Sequence, residues 1–245
     1  MIFGDYHTHS KYSKLGHGKN TIRQMAESGV EKGLKEMAIT DHGSRHLFFG
    51  VRKNALKKAR QEINIINAEG KIHLYLGLEA NLISRSGKID IRDSERQYLD
   101  FTAMGFHRGS WGEFANIFNF NLSKRRQNNP EIIKKNTDAY ISAILQNNIT
   151  FLTHLQEYIR VDVKKIAEVC ADTGTMIEIN NRHLRFSAQD VTRMLETGVK
   201  FVLSSDAHNI KQVADVSNAI KFAQVNHIPA ERICNLNEGI KILKL

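Results

Sequence analysis

MIFGDYHTHS, residues 1–10, is a short apolar run that ends in metal-ligand residue types: Asp5, His7 and His9. Six more apolar runs follow, five of them with such residues at their ends. KEMAIT (35–40), KIHLYLGLE (71–79), LDFTAMGF (99–106), ITFLT (149–153), GTMIEIN (174–180) and VKFVLSS (199–205) each have the length and near-continuous apolar character of a buried parallel strand. Amphipathic stretches separate them. Thr21 to Lys32 follows Asn20 as N-cap and stops at Gly33, and Val51 to Ala68 stops before Gly70. After Pro130, residues Ile132, Ile133, Tyr140, Ala143 and Ile144 fall on one stripe, and Asp162 to Thr173 aligns Val163, Ile166, Ala167 and Cys170. Strand then helix, repeated seven times with apolar strands, predicts an α/β chain whose parallel sheet is covered on both faces and closes into a barrel. Residues 1–245 read as a single domain, a length that such barrels fill.

The ends of the predicted strands carry the chemistry. The second is followed by Asp41-His42, the third ends in Glu79, the fourth in His107, the fifth in His154 and the seventh in Asp206-Ala-His208. In a parallel barrel these C-terminal ends form one ring around one mouth, where such folds place their active sites. His7 and His9 point the same way because alternate residues of a strand share a face. With His17 in the following loop, nine imidazoles and carboxylates are available. That number exceeds what one ion takes and predicts two or three divalent metals, with a carboxylate bridging a pair. Without thiolates the donor set suits Zn, Mn or Fe. A lone buried histidine is more often a hydrogen-bonded core residue than a ligand. His46, His73, His183 and His227 keep that structural assignment.

Composition narrows the function classes. Hydrophobic residues at 41% and two prolines exclude a disordered or collagen-like chain. Cys170 and Cys234 lack metal or redox spacing and read as reduced thiols of a cytoplasmic protein. No apolar run reaches the roughly 18 residues of a membrane span, and residues 1–10 lack a secretory signature. The formal charge of +9 favours phosphate-bearing partners. No nucleophile elbow or Cys/His pair points to covalent catalysis. The stretch from Arg108 to Asn129, with Trp111, three phenylalanines and Lys124, Arg125 and Arg126, reads as a long loop over the active face.

DYHTHS, AITDHG, GLEAN, GFH, LTH, EINN and SSDAH, in this order across nearly the whole chain, resemble the polymerase and histidinol phosphatase (PHP) superfamily, in its stand-alone bacterial phosphatase form. The resemblance implies a distorted (β/α)7 TIM-like barrel with a trinuclear centre. It implies that His7, His9, Glu79 and Asp206 hold the first metal, that Glu79 bridges to a second completed by His107 and His154, and that His17, His42 and His208 hold the third. His46 is the rival for the place of His17.

The expected activity is hydrolysis of phosphomonoesters of a small substrate by a metal-bridging hydroxide, with Glu79, Asp206 and His208 as catalytic residues. Arg52, Arg108, Arg182 and Arg185 are the candidates for binding substrate phosphate, and Asp5 and Asp41 for fixing an imidazole tautomer. Two alternatives stand behind it: a metal-dependent 3′-5′ exonuclease or phosphodiesterase on nucleic acid, and a non-enzymatic nucleic-acid binding module.

Overall fold

A computed structural model describes residues 2–112 and 128–245. Its seven strands are β1 (Gly4–Asp5), β2 (Glu36–Ile39), β3 (His73–Asn81), β4 (Phe101–Gly105), β5 (Ile149–Leu152), β6 (Met176–Asn180) and β7 (Phe201–Ser204). They pair in sequence order, every pair parallel. A helix follows each: α1 (Ile22–Glu31), α2 (Lys53–Ala68), the single turn α3 (Asp93–Arg96), α4 (Pro130–Gln146), α5 (Val163–Thr173), α6 (Ala188–Leu195) and α7 (Ser217–Val225). The N-cap of α1 is Thr21 rather than Asn20. The Thr21 hydroxyl accepts from the Gln24 amide while the Gln24 side chain accepts from the Thr21 amide, a reciprocal pair that Asn20 cannot form.

Strand parity explains how the barrel is filled and where the site lies. Along β3, Leu74, Leu76, Leu78 and Ala80 join the large outer core beneath the helices. Tyr75 on the opposite face packs with an inner cluster that includes Tyr6, Ala38, Phe101, Ala103, Phe151, Met176 and Val202. Gly77 shares that face, and a Cβ there would lie 2.6 Å from the Phe101 ring, so only glycine leaves room for the ring. Two residues further along the same face stands Glu79, fully buried. The inner apolar cluster therefore forms a floor, and polar residues one layer higher crown it.

The barrel is nearly closed. Above the floor, His7 to His9 meets Ala207, with His9 N–H donating to the Ala207 carbonyl at 2.7 Å. Below it, β1 takes up only Gly4–Asp5 of the apolar run that opens the chain, because Phe3 pairs with the C-terminal segment instead of β7. Its N–H donates to the Asn235 carbonyl at 2.8 Å. The Asn235 side chain bridges the seam, donating to the carbonyls of Gly4 (2.9 Å) and Leu203 (2.7 Å) and accepting from the Leu203 amide (3.0 Å). Ile240 then packs into the inner cluster from beneath. No helix among the described residues is long and apolar enough to cross a membrane. Lys124, Arg125, Arg126 and the three phenylalanines of the predicted long loop lie outside the described residues.

Candidate metal centre

All nine predicted ligands converge at the C-terminal ends of the strands. Nε2 of His7 lies 3.4 Å from Glu79 Oε2 and 3.2 Å from Nε2 of His9, which is itself 3.3 Å from Asp206 Oδ1. Four donors about 2.1 Å from a common centre in a tetrahedron stand about 3.4 Å apart. A second group surrounds the other Glu79 oxygen: Oε1 is 3.1 Å from His107 Nε2 and 2.9 Å from His154 Nε2, and these two nitrogens are 2.9 Å apart. The third is His17, whose Nε2 is 3.0 Å from that of His42 and 2.8 Å from that of His208. Two of these donors, His154 and Asp206, sit on left-handed backbone at φ 27° and 53°. Non-glycine residues adopt that conformation at a cost that surrounding contacts must hold, and such residues cluster at functional sites.

The hydrogen bonds fix which imidazole nitrogens face the cluster. Glu178 accepts from Nδ1 of His7 at 2.6 Å, so Nε2 is the nitrogen presented to Glu79 and Asp206. For His107 the acceptor is the Asn81 side-chain oxygen, at 2.7 Å. The amide is oriented by its nitrogen, which donates to Asp90 at 2.6 Å. Glu178 also accepts from the backbone N–H of His154 at 2.6 Å and from the Ser204 hydroxyl. Predicted acceptors Asp5 and Asp41 do other work. Asp5 takes the amide and hydroxyl of Ser205 and the Ala214 amide, tying β1 to the loop after β7. Asp41 takes Ser10 and Ser13 and stands 3.9 Å from His9, beyond hydrogen-bond reach. Both are strand-end staples. Glu178 and Asn81 occupy the role foreseen for them, and the signal for Glu178 was a carboxylate alone inside the apolar run GTMIEIN.

This chemistry fits bound cations. Glu79, Glu178 and Asp206 are buried and ionised, yet their ion-pair contacts among the described residues are to histidines, with no lysine or arginine. Such carboxylates need positive charge. The Nδ1 of His42 comes within 2.9 Å of Glu79 Oε2, but the angle forms no hydrogen bond, and both atoms stay unpartnered, as does Nδ1 of His9. Burial alone would raise the Glu79 carboxyl, but the imidazoles of His107, His7 and His42 hold it well below the usual range. Burial and neighbouring imidazoles push His17 down to about 3, and burial takes His107 down to about 4 against the pull of Glu79. Neutral imidazoles and ionised carboxylates are the states that bind metal. His7 runs the other way: burial lowers it, but Glu79, Glu178 and Asp206 together raise it.

The donors open into a cavity of about 380 Å³ whose wall also includes His46, Phe49, Arg108, Tyr158, Arg182 and His183. His46 stacks on His42 and Phe49 with Nδ1 accepting from the Phe49 amide, so it lines the mouth beside the cluster while His17 lies within it. His183, assigned a structural role from sequence, faces the cavity with Nε2 3.5 Å from Asp206 and Nδ1 3.3 Å from Glu157. Of the four arginines, Arg182 donates to the Asp206 carbonyl at 3.1 Å and Arg108 lies over the Tyr158 ring. Arg185 is paired with Glu157 and lines an adjoining groove with Lys221. Arg52 lines a different groove with Lys14 and Lys58. The remaining histidines, His73 and His227, stand outside the mouth lining, His73 at the opposite end of β3.

Residues 5–182 match the family model described as "PHP domain". Among curated relatives, a probable phosphatase of Shewanella loihica is 27% identical over 245 residues, covering 94% of this chain and 88% of its own. The DNA polymerase/3′-5′ exonuclease PolX of Bacillus subtilis is 26% identical over 96% of this chain, which spans only 39% of that relative's length. Among solved structures, the histidinol phosphate phosphatase of Lactococcus lactis, complexed with zinc, L-histidinol and phosphate, is similar with a TM-score of 0.62 at 21% identity, covering 91% of this chain and 92% of that one.

Proposed function

The chain belongs to the PHP domain family, and from that premise we propose that it is a metal-dependent phosphatase acting on phosphomonoesters of small molecules. The observation that carries this is the convergence of seven imidazoles on buried, ionised Glu79 and Asp206 at one open cavity, where among the described residues no lysine or arginine forms an ion pair with either carboxylate. The name of the Shewanella relative, whose length the chain nearly spans, supports the same activity. His7, His9, Glu79 and Asp206 would hold one ion, Glu79, His107 and His154 a second, and His17, His42 and His208 a third. Divalent ions bound there supply Lewis acidity toward a phosphoryl group and a water acidic enough to ionise near neutral pH.

The protein's own groups do the rest. Glu178 and Asn81 hold Nδ1 of His7 and His107 as the hydrogen-bond donor and so aim Nε2 of each inward. Glu79 and Asp206, kept ionised, present oxygens to the cluster from the C-terminal ends of β3 and β7. Arg108 and Arg182 line the wall of the cavity and offer guanidinium donors to phosphoryl oxygens. His208 is placed by its Nδ1, 2.8 Å from the Asp206 carbonyl. Phe49, stacked on His17 with ring centroids 4.1 Å apart, shields that side of the site from water.

The test is a panel of phosphorylated metabolites and a labelled single strand, offered to protein stripped of metal and reloaded with Mn or Zn. Phosphate release from monoesters by the reloaded protein alone supports the proposal. Shortening of the strand without monoester turnover replaces it with the exonuclease activity in the name of the Bacillus relative. Fewer than about two metal equivalents after saturation would overturn the multinuclear centre.

A further inference from the structure

We propose that the groove beside the mouth, between residues 11–16 and the start of α2, binds a second anionic group of the substrate. The enzyme then prefers phosphomonoesters whose far end carries another phosphate, phosphonate or carboxylate. This rests on the phosphatase activity proposed above and adds the chemistry of the part that is not hydrolysed.

The groove is lined by four cations, Lys11, Lys14, Arg52 and Lys58, and by no acidic residue. Among the described residues none of the four side chains makes an ion pair or a hydrogen bond. That is unlike much of the surface, where Arg23 pairs with Glu69, Arg60 with Asp100, Lys135 with Glu131 and Lys164 with Glu196. The acids that touch this loop are already engaged. Asp41 holds Ser10 and Ser13, and Glu62 accepts from the Tyr12 hydroxyl and the Arg23 amide. Four unpaired cations around one concavity repel one another and create a local positive field that an anion relieves.

Groove and mouth share a wall. Gly16 lines the groove and the next residue, His17, lines the mouth. Lys14 N–H donates to the Phe49 carbonyl at 3.2 Å, and Phe49 stacks on His17 from the mouth side. Leu15, at the rim, is 77% exposed on left-handed backbone with φ 53°. That conformation is unfavourable for leucine, and its side chain gains no burial from it. A substrate whose phosphoryl group sits at the metal ligands can therefore pass its other end over this rim, among the four cations. The attraction acts at solvent-exposed charges, so it strengthens binding, weakens with salt, and leaves the chemical step alone.

The experiment is steady-state hydrolysis by the metal-loaded protein of a ladder of diol bisphosphates, from ethanediol to hexanediol, beside the matching alkyl monophosphates. At least one bisphosphate is expected to show a KM about tenfold below its monophosphate, more than the factor of about two that comes from having two equivalent ends, with similar kcat. In the Lys14→Gln/Lys58→Gln double variant, and in high salt, this advantage shrinks toward parity. Equal KM values along the whole ladder, or an advantage that survives the double variant, overturn the proposal. If neither series releases phosphate, it is the phosphatase activity that fails. Calorimetry with alkane diphosphonates and alkyl phosphonates then decides the groove: tighter diphosphonate binding that depends on Lys14 and Lys58 supports it, and equal binding overturns it.

Discussion

Nδ1 of His7 and Oε1 of Glu178 lie 2.6 Å apart, both fully buried. The carboxylate can only accept, so it fixes the proton of His7 on Nδ1 and leaves Nε2 free. Its other oxygen accepts from the backbone of His154, which the left-handed φ of 27° makes costly to hold. One side chain thus orients a candidate ligand just after β1 and stabilises the strained turn that carries another after β5. Glu178→Gln keeps the shape but brings an amide NH₂ that must face one of these two donors. Metal affinity is expected to fall about 10- to 100-fold with the circular dichroism spectrum unchanged. Equilibrium dialysis with zinc checks this, and wild-type affinity in the variant would show that the contact has no bearing on the ligands.

Glu79 is the residue where all the candidate sites come closest. Its two oxygens lie within 3.6 Å of nitrogens on His7, His9, His42, His107 and His154. Glu79→Gln removes the central negative charge and one acceptor. Phosphatase kcat/KM is expected to drop at least about 100-fold, roughly 2.7 kcal/mol of transition-state stabilisation, and bound metal to fall by about one equivalent or more. Near-wild-type turnover by the purified variant would rule out a bridging role.

The seam between β1 and β7 makes a prediction about stability rather than catalysis. Asn235 satisfies the carbonyls of Gly4 and Leu203 and the amide of Leu203, none of which has water access at that depth. Asn235→Ala strands all three. Each unsatisfied buried group costs about 1–3 kcal/mol, and partial relaxation makes a total of about 3–4 kcal/mol reasonable. For a chain of this length that lowers Tm by about 6–16 °C. A thermal melt showing a shift below about 2 °C would mean the seam closes without this side chain.

Much of this was legible in the chain itself, and the exceptions have physical reasons. KIHLYLGLE gave β3 because a long, near-continuous apolar run of that length leaves few alternatives, and the nine candidate ligands stood out because imidazoles and carboxylates at strand ends serve no packing purpose. Glu178 and Asn81 were missed as orienting residues because their role depends on which strand neighbours which, a property of closure across 171 residues in the case of His7 and Glu178. Arg52 and Arg185 follow apolar or ligand-rich runs much as Arg182 does. Only the path of the loops decides that Arg182 lines the mouth while the other two line grooves beside it. Asn235 carries no local signal at all, since an asparagine near a C-terminus reads as a turn until the barrel seam it fills is known.

His46 tests the electrostatics of the mouth from a position outside the proposed ligand set, stacked on His42. Burial first, then the imidazoles of His42 and His107, push its pKa down to about 2, so the folded protein holds it neutral while the unfolded chain protonates it near 6.5. The unfolded state therefore binds the extra proton below that pH. Stability from keeping His46 neutral is present in full above about 6.5 and is lost progressively as pH falls toward 2. His46→Phe fits the stack between His42 and Phe49, gives up the bond from the Phe49 amide, and has nothing to titrate. In metal-stripped protein the stability difference between wild type and variant is expected to move by about 2 kcal/mol in favour of the variant between pH 7 and pH 5. Urea unfolding at the two pH values measures it, and a difference that does not change with pH would mean that His46 is protonated as readily in the fold as outside it.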